Sequence, residues 1–462
     1  MGKVEIVTTE QQYQAGKSRR DKCPRLSHGK VILGQSNKRD VVELIKASNS
    51  DRLENLIPIR HGRMVQSAFA YFRGTAAIQA YDLAGTPTSG IIVQACGDCH
   101  LMNFGGFATP ERNLVFDIND FDETLPAPFE WDLKRLATSF VIAARWRGFN
   151  PNQAREMAVV AVSAYRKSMR KRATVGVLET WYSMTTLNNV REMFGDDEDI
   201  RRRVNKRISE ASKQTHEHVA NKITVPSKGL SRIIDQPPLL YHAGKQQVNR
   251  RTVEAFFKQY RETLSEDRRA LFDRFKVVDV AIKVVGVGSV GTRCYVALLL
   301  ASPNDPLFLQ VKEARASVLE PYTKRRRVAH NGYRVVSGQR LMQSSSDIFL
   351  GSATGPEGRA FYVRQLRDMK ISADIESQTP RVMRVYATVC GHALARAHGK
   401  AGNAAMIAGY LGSSDRFDKA IADYAVAYAD QVDHDYANFV GAIRSGQLKT
   451  DLSTSRLEAA LR

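Results

Sequence analysis

Between residues 96 and 132 the chain sets carboxylates, an asparagine and a histidine in short loops between apolar runs. The groups are Cys96-Gly97-Asp98-Cys99-His100-Leu101-Met102-Asn103, then Val115-Phe116-Asp117-Ile118-Asn119-Asp120-Phe121-Asp122-Glu123, then Trp131-Asp132-Leu133. Ile91-Ile92-Val93 reads as a buried strand before the first group, and Leu114-Val115-Phe116 as another after a Gly-, Pro- and Asn-containing turn. Asp98 and Asn103 are then carried on a loop at one strand end, and Asp120 follows the next strand. Hard oxygen donors so arranged suit Mg²⁺ on a phosphate, because magnesium usually takes only one or two ligands from protein.

The same residues admit other chemistry. Cys96-x-x-Cys99-His100 matches the haem-attachment string. Covalent haem needs export and an exposed site, and the N-terminal residues lack the apolar core of a signal peptide. A Cys96/Cys99 redox pair or zinc site is a further option, but zinc lacks a second pair at ligand spacing. The plainest option is that the carboxylates only cap turns. Single acidic residues commonly do so; the whole set at these spacings rarely does.

Composition bounds the answer. The 462 residues exceed one ordinary core, and 43% hydrophobic with 25% charged content belongs to a globular chain of two or three subdomains. No apolar run reaches a membrane span. Five cysteines fit a reducing compartment, with the cytoplasm as the expectation. The net charge is +20, with basic runs at 17–20, 166–172, 201–203 and 324–327. These runs could attract a polyanion, although no nucleic-acid-binding signature accompanies them and solvated helix faces explain them as well.

The elements that must position the loops can be read in outline. Residues 1–38 are polar, basic and aperiodic, and are expected to form a mobile tail. A helical lead-in follows over 39–90, with Ser67 as an N-cap, a stripe of Phe69, Phe72, Ala76, Ala80 and Leu83, and Arg73 at the end of the aromatic run. That arginine could reach a phosphate or the Asp98 loop, or simply make a surface ion pair. Helices are expected over 132–147 and from Pro151 to about residue 172, and residues 178–270 read as mostly helical. From residue 276 the character changes to a strand at 277–285, the turn Gly286-Val287-Gly288-Ser289-Val290-Gly291, a strand from 293, and a third strand ending at Val311-Lys312. Glycines at such a turn let backbone amides approach phosphates; a plain β-meander with a bulge is the alternative. Residues 348–350 and 361–366 read as two more strands. Helices are then expected over 333–343, from Thr379-Pro380 to His398, and over 415–445.

Gly97-Asp98-x-His100-x-x-Asn103 resembles the catalytic loop of aminoglycoside and choline phosphotransferases, the small-molecule branch of the protein-kinase-like fold, with Cys96 standing where that loop has His. Asn119-Asp120-Phe121 is similar to the metal loop that follows it, and Asp132-Leu133 to the later structural Asp-Leu. The resemblance implies Asp98 as catalytic base with His100 beside it, Asn103 and Asp120 as Mg²⁺ ligands with Asp117 competing, and Asp132 as the carboxylate fixing the loop. The glycine turn resembles the nucleotide hairpin of kinases, implying phosphate binding by Gly286, Gly288, Ser289, Gly291 and Lys312. Glu320, Gln339 and Gln343 are candidate partners of Lys312, with Glu313 expected on the opposite strand face; the purine hinge would lie near 366–370, and Ala393-Leu394-Ala395-Arg396-Ala397-His398 looks like the helix that precedes the catalytic loop. Over most of the chain from about residue 50, the closer resemblance is to the bacterial domain of unknown function 2252 family, through Phe72-Arg73-Gly74, the Gly97-Asp98 loop and Arg364-Gln365-Leu366. It implies no substrate.

The pieces occur out of kinase order, with the catalytic loop before the nucleotide hairpin. The expected fold is therefore α+β, bilobed, kinase-like and circularly permuted. The ordinary ends would be joined near 262–278, and the new ends would open between His398 and Ile91. The expected divisions are 91–275 for the catalytic-loop and helical lobe, 276–372 for the glycine-rich β-lobe, and 373–462 for a helical segment completing the large lobe. Lys312 and the 286–291 turn should then face Asp120 across a cleft, and His398 should abut the Gly97 loop. The expected activity is ATP- or GTP-dependent phosphoryl transfer, or on the same fold nucleotidyl transfer, to a hydroxyl. His100, standing where protein kinases carry Lys, favours a small-molecule acceptor. A catalytically silent nucleotide-binding scaffold and a basic nucleic-acid-binding protein are the readings from other classes.

Overall fold

The computed structural model describes residues 6–33, 39–193, 197–213, 222–227, 230–242, 249–323, 328–366 and 369–453. The basic run 324–327 and the middle of the expected purine hinge lie outside them. In chain order the described elements begin with α1 (Thr9–Lys22), α2 (Val41–Asn49), α3 (Ile57–Met64), α4 (Ala68–Gly74), α5 (Ala76–Leu83), β1 (Ile92–Ala95), β2 (Phe104–Ala108), β3 (Leu114–Ile118), β4 (Leu125–Pro128), α6 (Phe129–Trp146) and α7 (Pro151–Arg172). They continue with α8 (Val177–Tyr182), α9 (Leu187–Met193), α10 (Glu198–Ser212), β5 (Thr224–Ser227), β6 (Leu230–Ile233), β7 (Leu240–Tyr241), α11 (Arg250–Glu262), α12 (Glu266–Phe272), β8 (Lys276–Lys283), β9 (Cys294–Ser302) and β10 (Asp305–Glu313). The last are α13 (Asn331–Met342), β11 (Gly351–Thr354), β12 (Ala360–Gln365), β13 (Ile371–Ser372), α14 (Pro380–Ala401), α15 (Ala404–Leu411) and α16 (Arg416–Arg444). The architecture is α+β, and no described helix is long and apolar enough to cross a membrane.

The helical half is built on α6, α7, α14 and α16, whose apolar faces form the largest core with Phe129, Leu133, Phe140, Leu394, Tyr424 and Tyr428. Asn150 caps α7 in a box with Gln153, and Pro151 opens it, so its start is fixed locally. At Gly391 of α14 an added Cβ would lie 2.2 Å from the Ala161 carbonyl, so the small residue is what lets α14 close on α7. The other half is a six-stranded antiparallel sheet in the order β11-β12-β10-β9-β8-β7. One face, with Leu299, Leu309 and Val363, packs on Phe257 and Tyr260 of α11 and on Phe272. The other, with Val296, Leu298 and Phe308, packs on Ile233 and Leu240. β13 joins β2 and β3 in a small sheet, and β1 pairs with β4.

Several expectations are corrected. The expected mobile tail contains α1, docked on α15. Thr8 and Gln11 form its capping box. It binds without an apolar stripe, through polar groups: Arg20 and Arg25 donate to the Gly409, Tyr410 and Leu411 carbonyls at the end of α15, and Gly16 allows backbone contact with Met406. The stripe at 67–84 is two helices, because the Thr75 hydroxyl folds back onto the Tyr71 and Phe72 carbonyls at the break. Residues 178–270 include β5, β6 and β7 as well as helices. Residues 348–350 are a turn, closed by the Asp347 carboxylate on the Phe349 amide, and the strand begins at Gly351.

Candidate functional site

One cleft, with about 200 Å³ of free space, gathers Asp98, His100, Asn103, Asp120, Asp122 and Glu123 beneath the turn at Gly286, Val287, Gly288 and Ser289. The loop from Cys96 to Asn103 leaves β1 and is pinned at both ends. Asp132, near the start of α6, accepts from the Cys96 amide (2.7 Å) and the Gly97 amide (3.0 Å). His398 of α14 meets the same carboxylate at 3.0 Å from Nε2, with Tyr165 at its Nδ1. The Leu101 amide donates to the Ser139 hydroxyl, and the Tyr386 hydroxyl donates to the Leu101 and Phe104 carbonyls. Gly97 has φ +86°, and a Cβ there would lie 2.2 Å from the Glu123 carbonyl, so the turn requires glycine.

This scaffold aims Asp98 into the cleft. Its Oδ1 accepts from Arg135 Nε at 2.8 Å, and the Asn103 amide nitrogen donates to its backbone carbonyl at 2.6 Å. Arg135 is itself held over the Phe72 ring and by the Gln79 side chain and Phe72 carbonyl. Burial pushes the Asp98 carboxyl up, and the Arg135 guanidinium only partly offsets it. His100 Nε2 is 3.8 Å from Asp98 Oδ2. Burial holds this imidazole neutral, well below its ordinary value, and its Nδ1 has no hydrogen-bond partner among the described residues.

Asp120 has the opposite setting. Burial opposes its ionisation, but Lys312 and Arg364 outweigh that and hold the carboxyl below its usual range. Lys312 Nζ lies 3.8 Å from Asp120 Oδ2 and in closer contact with Asp122. Asp122 also accepts from the Tyr362 hydroxyl at 2.7 Å and from the Ser289 hydroxyl at 3.4 Å. Burial lowers the Lys312 ammonium, yet the two aspartates win and raise it. Alternation along β10 puts Phe308, Gln310 and Lys312 on one sheet face, which aims the ammonium at the aspartates.

Sequence reasoning did not single out Asp122 or Tyr362, and it named Arg364 only as part of the family segment. It sought the partner of Lys312 downstream. Glu313, expected on the opposite face, pairs with Arg293 and Arg359, while Gln339 and Gln343 bond each other and the Ile118 carbonyl. The available signal was the second acid of Asp120-Phe121-Asp122. Asp117 is not brought to the cleft. It is fully buried, with Arg396 at 2.6 Å and the Ser344 amide and hydroxyl on its other oxygen, so it has no free face for a metal. Gly291, at φ +88°, lies against Arg52 at the end of the turn. The cysteine readings also meet an obstacle. Cys96 and Cys99 are buried free thiols; the hydrogen bond to Cys99 lowers Cys96, but burial together with Asp132, Asp98 and Asp120 outweighs it and pushes the thiol up to about 11.

Among the described residues no three His, Cys, Asp or Glu side chains form a metal cage. Asp120, with its side chain 34% exposed to the cleft, and Asn103 beside it do fit a Mg²⁺ shared with a phosphate ligand.

No curated protein and no solved structure is significantly similar to the chain. A sequence family described as an uncharacterized protein conserved in bacteria, DUF2252, matches residues 52–442. That span holds both walls of the cleft. The three segments on which the family resemblance rests meet there: Arg73 lines it, Asp98 and His100 form its floor, and Arg364 stands at Asp120. Matched over this length, the chain belongs to the DUF2252 family.

Proposed function

We propose that the chain is a nucleoside-triphosphate-dependent phosphotransferase of a circularly permuted kinase-like fold, acting on a hydroxyl of a small-molecule acceptor. One observation carries the reading. The Gly286–Ser289 turn faces Asp98, Asn103 and Asp120 across a single cleft, with Lys312 buried behind it on Asp120 and Asp122, although Ser289 and Asp122 alone are 167 residues apart in sequence. The His398–Asp132 contact at the Gly97 loop supports the same connection of pieces.

In this reading Asp98 orients the acceptor hydroxyl and takes its proton, with the raised affinity for a proton that a general base needs near neutrality. Arg135 fixes its rotamer, and neutral His100 lines the acceptor side without adding charge. Lys312 and the backbone amides of the turn hold the donor phosphates. Asn103 and Asp120 would hold Mg²⁺, which when bound neutralises charge on the transferred group. Catalysis of this kind is mostly positioning and electrostatics. All five cysteines are free and buried, which fits a reducing compartment such as the cytoplasm.

The test is thermal unfolding with and without Mg²⁺·ATP or Mg²⁺·GTP, for wild type and Asp120→Ala. A ligand at a hundred times its dissociation constant stabilises by about 2.7 kcal/mol. The expected result is a Mg²⁺-dependent rise that Asp120→Ala abolishes. No rise with any nucleotide would remove the reading. A nucleotide-binding scaffold without catalysis would give the rise but be indifferent to Asp98→Asn. The +20 charge favours a second reading, a nucleic-acid-binding protein with structural acidic loops, which Mg²⁺·ATP would leave unstabilised.

A further inference from the structure

The wall of the cleft beside the glycine turn carries Arg52, Arg60, Arg73 and Arg315. Three of them converge on the end of α2. Arg52 Nε donates to the Ser48 carbonyl, Arg60 Nη1 to the Asn49 side chain, and Arg315 Nη2 to the Ser50 carbonyl. Arg52 also reaches the Val290 carbonyl, and Arg60 the Gly74 carbonyl. Among the described residues none of these three has a carboxylate at ion-pair distance. A helix C-terminus presents only about half a negative charge, so three guanidiniums exceed what helix capping explains.

The acidic floor offsets them only in part: Glu123 and Glu313 favour the Arg52 charge, but burial, Arg60 and Arg315 outweigh them, and the floor has cations of its own. Arg135 holds Asp98, Lys312 holds Asp122 and Asp120, and Arg293 and Arg359 hold Glu313. Arg60 is only 1% exposed, and its Nε has no acceptor among the described residues. A buried charge without a counter-ion is costly. Burial, and then the neighbouring Arg315, lowers the Arg60 guanidinium to about 10; burial and Arg60 act in the same direction on Arg52.

We propose that the acceptor is an anion, a hydroxyl compound that already carries a phosphate group. That phosphate sits on Arg52, Arg60 and Arg315, and the hydroxyl is directed at Asp98. The proposal rests on the phosphotransferase reading and names its acceptor class. Guanidinium forks match phosphate oxygens in pairs, and the surplus positive charge disfavours an amine or quaternary ammonium acceptor. In the transfer, the acceptor oxygen bonds to the terminal phosphorus of the nucleoside triphosphate. The bond from that phosphorus to the nucleoside diphosphate oxygen breaks, and the hydroxyl proton passes to Asp98. The products are a nucleoside diphosphate and a compound bearing two phosphates.

Isothermal titration calorimetry of the full chain with inorganic phosphate, at constant ionic strength, tests this. Phosphate should bind wild type both without nucleotide and with saturating Mg²⁺·ATP. Its affinity should fall at least tenfold in Arg315→Gln, a half-buried site, while this variant keeps wild-type affinity for Mg²⁺·ATP. Choline chloride should give no heat above dilution. Mg²⁺·ATP binding without phosphate binding would overturn the acceptor assignment and leave the phosphotransferase reading standing. Phosphate that competes with Mg²⁺·ATP, with both lost in Arg315→Gln, would assign the arginines to the nucleotide and overturn the proposal. Phosphate binding with no nucleotide binding would remove the phosphotransferase reading and the acceptor role together.

Discussion

Asp98 and Asp120 share one floor, yet their surroundings drive them apart. Burial raises the first, while Lys312 and Arg364 hold the second ionised. A pair so separated suits a division between proton uptake and cation binding. On the proposed phosphotransferase reading, Asp98→Asn should cut transfer by roughly 10²–10⁴-fold, the usual worth of a general base, with nucleotide binding unchanged in calorimetry. Glu123 gives a prediction about stability. Burial raises it to about 7, against Arg334 and the Val318 amide. Its folded proton affinity exceeds the unfolded one, so its contribution is complete below about pH 4.5 and is lost as pH rises through 7. Urea unfolding at pH 5 and pH 8 should show a loss on the order of 2 kcal/mol that Glu123→Gln removes. An unchanged difference in the variant would assign the loss to other groups.

At the scale of elements, α1 is held by small-residue contact and arginine capping. At Gly16 a Cβ would lie 1.9 Å from the Met406 carbonyl. Gly16→Val should therefore detach α1 and destabilise by roughly 2 kcal/mol, read as a lower melting temperature together with earlier proteolysis within residues 9–22. Retained protease resistance would show that the helix shifts without leaving α15. The same helix explains what the sequence conceals. α6, α7, α14 and α16 are legible because apolar periodicity and caps such as Asn150-Pro151 are local signals. The three strands around the glycine turn and the Asp98 loop are legible for the same reason. α1 buries almost no apolar side chain, so periodicity is silent there. Arg52, Arg60 and Arg315 look like ordinary surface cations until folding brings them to one helix end. Asp122 was hidden differently: Lys312 takes its acid from the loop after β3, not from the segment that follows the lysine.

For the whole molecule, the +20 charge and the cleft make separable demands. Nucleic acid retained by exposed runs such as 201–203 should dissociate steeply with salt, because each phosphate contact releases counterions. Filter binding from 50 to 300 mM salt should show that loss equally in wild type and Asp120→Ala. A salt-dependent affinity that Asp120→Ala weakens would instead tie the polyanion to the cleft.

The Asp132–His398 contact that pins the Gly97 loop spans 266 residues. Synthesis proceeds at about 5–20 residues per second, so on the order of ten to fifty seconds separate the emergence of the two partners. During that interval the nascent chain carries Asp98, Asn103 and Asp120 without the histidine that helps lock their loop, and for much of it without Lys312. The cleft is thus among the last parts of the protein to be finished on the ribosome, and a polypeptide cut short before α14 would carry Asp98, Asn103 and Asp120 without the His398 and Tyr386 contacts that help hold their loop.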